Sequence, residues 1–144
     1  MALVYWDTSA LVSYYLPEPL SDQVQARLLA DEPALSWLVE VELFSALARK
    51  VQAGELDRVH AERVASLFLA HLDEGFYHRL PLEASHFRMA RDWIGYFDLP
   101  LRAPDALHLA VAFTAGLPLV TADQALAQSA EALGIEAFLF QDQG

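Results

Sequence analysis

A chain of 144 residues suits one domain, able to bury about two-thirds of its unfolded surface, and 55% hydrophobic with 11% aromatic content excludes disorder. The absence of cysteine excludes a disulfide framework, a thiolate zinc site and a thiol nucleophile. Nine basic residues against twenty acidic ones leave a formal charge of −11, so any work on nucleic acid has to be local rather than a broad neutralisation of duplex phosphates.

The elements alternate. Residues 2–6 (ALVYW) read as a short buried strand, followed by a helix from Thr8 that stops before Pro17. The start lacks the basic flank and apolar run of a signal peptide, which predicts a cytoplasmic protein, and no stretch approaches the roughly 20 apolar residues a membrane span needs. Ser21 or Asp22 is placed to cap a second helix reaching Ala30, and Ala34–Trp37 reads as a second strand. Leu38–Ala53 carries a helical pattern with Leu43, Phe44, Leu47 and Val51 on one face and Gly54 at its end; Asp57 caps a fourth helix running to Asp73 through Val64, Leu67, Phe68, Leu69 and Leu72. After Gly75, FYHRL offers a strand; Glu83–Phe97 reads as an amphipathic helix burying Phe87, Ala90, Trp93, Ile94 and Phe97. Pro104 opens a helix that is apolar nearly all round, and so central, ending near Gly116. Pro118–Thr121 is a strand, Asp123–Leu133 a helix and Ile135–Phe140 a last strand. Strands separated by helices predict an α/β protein, a three-layer α/β/α sandwich around a mostly parallel sheet.

Four carboxylates stand out. Asp7 and Asp123 each follow a strand directly, and Asp105 and Glu42 lie near helix starts, so all four are expected at the carboxyl edge of one sheet, where ligand crevices form. Glu42 shares its helix face with Ser45, Ala46 and Arg49, a small-residue surface that other elements can approach. Taken singly, each acid is explained by capping or by the helix dipole, worth about 1 kcal/mol or less. Taken together, four acids at one rim repel, and a divalent cation reverses the sign; oxygen-only ligands suit Mg²⁺ or Mn²⁺ rather than zinc or copper. His108, three residues after Asp105 on the apolar helix, reads first as a satisfied core histidine and only second as a group bonded within the site.

The runs DTSAL, VELFSALAR, APDALHLA and LVTAD, in this order and spanning most of the chain, resemble the PIN-domain ribonucleases. The single-domain length and the run LRAPDALHLAVA are similar, more narrowly, to the VapC-type toxins of toxin–antitoxin pairs. The resemblance implies one PIN domain over residues 1–144, with Asp7, Glu42, Asp105 and Asp123 as catalytic and metal-binding acids and Thr8, Ser9 and Thr121 as supporting hydroxyls. It implies hydrolysis of RNA by metal-activated water, leaving a 5′-phosphate. Some members carry a further acid two positions after the last one; here that place is Ala125. Arg49 and Arg102 are candidate phosphate contacts, with Arg88 and Arg91 behind them. The implied partners are RNA, a VapB-type antitoxin covering the groove with a basic side chain, and a second copy of the chain, for which a mean hydropathy of +0.23 leaves apolar surface to spare. Two other readings are an inert PIN-fold binding scaffold and a receiver-type phosphorylation switch, which needs a phospho-acceptor aspartate after a mid-chain strand.

Overall fold

The computed structural model describes residues 2–17 and 19–141. Among the described residues five strands and seven helices follow one another in the order β1 (Leu3–Trp6), α1 (Thr8–Tyr15), α2 (Ser21–Ala30), β2 (Glu32–Ser36), α3 (Trp37–Gln52), α4 (Arg58–Asp73), β3 (His78–Leu80), α5 (Ala84–Gly95), α6 (Ala103–Ala115), β4 (Leu119–Thr121), α7 (Gln124–Ala132) and β5 (Ala137–Leu139). Every strand pairing is parallel and the spatial order is β3-β2-β1-β4-β5. The chain steps from β1 outward to β2 and β3, then crosses back to β4 and β5. Right-handed crossovers therefore place α1–α4 on one face and α5–α7 on the other, the three layers expected. Receiver-type proteins use the order 2-1-3-4-5; the order seen here, and the absence of an acid closing β2 or β3, exclude that reading.

β1 lies at the centre and reads as a buried run because it is covered on both faces: Val4, Tyr5 and Trp6 are buried. On the other face of the fold α6 is the central helix, with Ala106, Leu109, Ala110, Val111 and Ala112 buried. It ends on Gly116 at φ 68°, a left-handed position that costs a residue with a Cβ about 1–2 kcal/mol.

Several boundaries and faces differ from expectation. β2 starts at Glu32 rather than Ala34, because β3 pairs only from Ala34 onward and leaves Pro33 on a locally open edge, where its missing N–H is tolerated. The second helix is capped by neither Ser21 nor Asp22: Leu20 is its N-cap, and Ser21 Oγ donates instead to the carbonyls of Ser13 and Leu16. On α3 the buried row is Val39, Leu43 and Leu47, spaced four apart; Phe44, 100° away, is exposed and rests edge-on against Phe68. On α4, Val64, Phe68 and Leu72 face inward while Leu67 and Leu69 are exposed. The fifth helix ends at Gly95, because Phe97 takes a left-handed φ of 59°; Phe97 is 89% exposed and Phe87 53%, so only Ala90 is buried of the set expected there, with Trp93 and Ile94 half-buried.

Candidate functional site

Strand order reverses at β1, which sits between β2 and β4, and crevices form beyond the carboxyl ends of strands at such switch points. Asp7 leaves β1 there and Asp123 follows β4. Glu42 enters from α3, after β2, and Asp105 from the first turn of α6, whose other end leads into β4. All four predicted acids thus lie at the same edge of the sheet.

Asp7 is 3% exposed. Its Oδ1 accepts the Ala10 amide at 3.0 Å, which caps α1, and its Oδ2 accepts the Thr121 hydroxyl at 2.6 Å. Ser9 Oγ lies 2.8 and 2.9 Å from the two carboxylate oxygens and accepts the Ala122 amide at 3.0 Å; Thr121 Oγ1 accepts the Asp123 amide at 3.0 Å. The hydroxyls of Ser9 and Thr121 therefore tie the turn after β1 to the turn after β4. Among the described residues no lysine or arginine pairs with Asp7. Burial pushes its carboxyl above the ordinary value, and His108 with the Thr121, Ala10 and Ser9 donors pulls down without cancelling that.

Glu42 is held differently. It is the sixth residue of α3, past the free amides of the helix start, and its Oε1 accepts from the Thr8 hydroxyl at 2.8 Å and from His108 Nε2 at 2.5 Å. Burial raises this carboxyl, but the His108 hydrogen bond and charge, the Thr8 donor and the charge of Arg49 outweigh it and hold it below the ordinary value. His108 is 4% exposed, and its Nδ1 meets Tyr5 Oη at 2.7 Å; Tyr5 Oη in turn meets Ser36 Oγ at 2.8 Å. Burial keeps the Tyr5 phenol protonated far above its ordinary range.

Asp105 and Asp123 are engaged at helix starts. Asp123 accepts the Leu126 amide at 3.1 Å as N-cap of α7, and Asp105 accepts the Arg102 amide at 3.4 Å, with the exposed Arg102 guanidinium 3.9 Å away. Capping and site membership are thus both open to these acids. A groove of about 550 Å³ runs over Thr8, Ser9, Glu42, Ser45, Arg49 and Ala122, and of the four acids only Glu42 lines it, on one wall with Arg49. A second depression of about 420 Å³, between Leu28, Pro33, Tyr77 and His78, lies at the opposite edge of the sheet, away from every acid of the set. Glu40, on the other side of α3, pairs with Arg79 at 2.8 Å, and Arg91 pairs with Asp92.

The donor set suits a hard divalent cation: the ligands are oxygens, and among the described residues the buried Asp7 carboxyl has no lysine or arginine partner and Glu42 Oε2 receives no hydrogen bond. In this arrangement, however, no three histidine, aspartate or glutamate side chains of the described residues stand close enough to enclose one ion, and Asp105 and Asp123 each accept a backbone amide. Sequence reasoning gave His108 a lesser place and missed Tyr5 and Ser36. The available signal was a histidine inside an otherwise apolar helical run, which must find partners for both nitrogens.

The family model for the PIN domain matches residues 4–132. The chain is 34% identical over 140 residues to Ribonuclease VapC46 of Mycobacterium tuberculosis (strain ATCC 25618 / H37Rv), covering 94% of this chain and 95% of that protein. Among solved structures it is similar to FitAcB from Neisseria gonorrhoeae, with a TM-score of 0.66, 19% identity and 96% of both chains covered. It is also similar to VapC20 of Mycobacterium tuberculosis, a sarcin–ricin loop cleaving toxin, with a TM-score of 0.69, 18% identity, and 88% of this chain and 94% of that chain covered. VapBC2 from Rickettsia felis, bound to a promoter DNA fragment, gives 0.69 at 14% identity with 98% of this chain and 100% of that one covered. At these identities the structural likeness is one of fold.

Proposed function

The chain belongs to the PIN-domain family, with a VapC ribonuclease as its relative, and on that premise we propose that it is a divalent-metal-dependent endoribonuclease, the toxin of a VapBC-type pair. The observation that carries the reading is the buried carboxylate of Asp7 at the switch point, braced by the Thr121 and Ser9 hydroxyls, with no lysine or arginine paired to it among the described residues. A structural acid in such a position is ordinarily paired with Lys or Arg, since an unpaired buried charge costs several kcal/mol.

In this reading Asp7 and Glu42, with Asp105 and Asp123, hold Mg²⁺ or Mn²⁺. When bound, that ion supplies the acidity that activates water and steadies the departing 3′ oxygen. The protein's own share is orientation: Ser9 and the Ala10 amide hold Oδ1 of Asp7 and Thr121 its Oδ2, Thr8 and His108 hold one oxygen of Glu42, and the groove beside Glu42 is where the RNA strand would lie. Arg49 on the groove wall and the exposed Arg102 next to Asp105 offer guanidinium groups to flanking phosphates, which a chain of charge −11 must bind locally. Exposed large apolar side chains, among them Trp37, Val41 and Phe44 on α3, support assembly with a VapB-type antitoxin and with a second copy of the chain. Among the described residues no helix is long and apolar enough to cross a membrane.

The test is cleavage of labelled RNA by the purified chain with Mg²⁺ or Mn²⁺, in parallel with chelator and with Asp7→Asn. Cleavage that needs the ion and is lost in the variant supports the reading. Cleavage that persists in both controls, or no cleavage and no metal binding by the wild type, favours the inert scaffold or a different site.

A further inference from the structure

The histidine of α6 does more than fill the core. We propose that His108 and Tyr5 are positioning residues that aim the carboxylate of Glu42 at the metal, through a chain of hydrogen bonds running Ser36–Tyr5–His108–Glu42. The inference rests on the reading of Glu42 as a metal ligand.

The packing alone would be served better by leucine. α6 buries Ala106, Leu109, Ala110, Val111 and Ala112 around His108, and a buried imidazole is tolerated only if both nitrogens find partners. They find them in opposite directions: Nδ1 is 2.7 Å from Tyr5 Oη on the central strand, and Nε2 is 2.5 Å from Glu42 Oε1 on a helix of the opposite layer. The chain continues to Ser36, the N-cap residue of α3. Its hydroxyl makes no cap bond to that helix and stands 2.8 Å from Tyr5 Oη instead. One line of hydrogen bonds thus joins β2, β1, α6 and α3 and ends on a single carboxylate oxygen.

The direction of the last bond does not depend on the charge of the imidazole. Glu42 as a carboxylate only accepts, so Nε2 carries a hydrogen. With a neutral ring, Nδ1 accepts from Tyr5 and Tyr5 accepts from Ser36; with a charged ring, Nδ1 donates to Tyr5 and Tyr5 donates to Ser36. Both assignments satisfy every group and leave Nε2–H on Oε1. Together with Thr8, it fixes Oε1 and leaves Oε2 as the oxygen without a donor among the described residues. Partners that orient ligand side chains in this way typically set metal affinity by about 10–100-fold.

The experiment compares the full-length chain as wild type, H108L, H108Q and Y5F. Mn²⁺ binding is measured by calorimetry and folding by melting in chelator. H108L keeps the shape and removes the donor, and its Mn²⁺ dissociation constant is expected to rise about tenfold or more. H108Q, whose amide nitrogen can still donate to Glu42, should recover most of that loss. Y5F should lose a smaller, severalfold share, and if H108L does not fold, Y5F against wild type carries the comparison. A purely structural role would lower the melting temperature of H108L in chelator and leave the dissociation constant of the folded fraction unchanged; that result overturns the inference. H108Q binding no better than a folded H108L also overturns it. A wild type that binds no Mn²⁺ at millimolar concentration overturns the ligand reading of Glu42 itself, and is told apart from the other failures because it needs no variant.

Discussion

Asp7→Asn separates what the site costs from what it does. The substitution preserves shape and, because Asn caps helices about as well as Asp, keeps the acceptor for the Ala10 amide. Ser9 and Thr121 can turn their hydroxyls to accept from the new amide. What is removed is a buried charge without a basic partner. Relief of such functional strain is typically worth about 0.5–2 kcal/mol, and at this chain length about 2–4 °C of melting temperature follows each kcal/mol. The metal-free variant should therefore melt a few degrees above wild type at pH 8. The sign follows from the raised carboxyl of Asp7: the fold binds its proton more tightly than the unfolded chain does. The stability so gained is complete below the unfolded value of about 3.9 and is lost as pH rises through the folded value. The advantage of the variant should consequently shrink as pH falls through the folded value, where wild type takes up the proton too. Differential scanning fluorimetry in chelator across pH 4–8, alongside RNA cleavage in Mn²⁺, reads both halves. A variant less stable than wild type at every pH, or one that still cuts RNA at the wild-type rate, refutes the reasoning.

Four further outcomes follow from the same structure. Leu109→Ala empties a fully buried place in α6 and should cost about 2–5 kcal/mol in urea unfolding. Gly116→Ala meets no atom within 4 Å, so only the left-handed backbone resists it, and the loss should stay at about 1–2 kcal/mol by the same measurement. Arg49→Gln and Arg102→Gln should weaken RNA binding uniformly across sequences, each lowering the slope of log affinity against log salt by about 0.7 if its guanidinium contacts a phosphate; an unchanged slope removes that arginine from the interface. The exposed apolar residues predict a dimer by light scattering at micromolar concentration, and a monomer mass there would contradict it.

The fold was legible where sequence signals were local and redundant. Pro104 and Gly116 bracket α6, Asp57 and Gly75 bracket α4, and buried runs flanked by helices predicted the parallel sheet. Helix faces were less legible, since the apolar rows of α3, α4 and α5 are wider than the surface the sheet covers: Phe44, Leu67, Leu69 and Phe87 satisfy the period yet face outward. Phe97 was unreadable for another reason, as nothing in GYFDLP says which residue will take the left-handed turn. At the edge of the sheet, Asp7 and Asp123 were placed by strand ends and Glu42 and Asp105 by helix starts, whereas the Tyr5–His108 link joins residues 103 apart and needs the packing of α6 on β1 to exist.

The four acids also differ in how the fold tolerates them, and the difference explains why one needed extra support. Asp7 and Asp123 accept the amides of Ala10 and Leu126 as N-caps, and Asp105 accepts the amide of Arg102 at the start of α6; each meets a partial positive charge that the helix supplies. Glu42 lies a turn and a half into α3, where backbone amides are already bonded within the helix, so no such donor is within reach. Side chains must take their place, and Thr8 from α1 and His108 from α6 do so from two different layers. A carboxylate at a helix start is stabilised by its own local sequence, whereas one in mid-helix is stabilised only after the layers close. Asp105 and Asp123 thus lean on their own helix starts, Asp7 on its helix start and on Thr121 across the sheet, and Glu42 on side chains from two other helices alone.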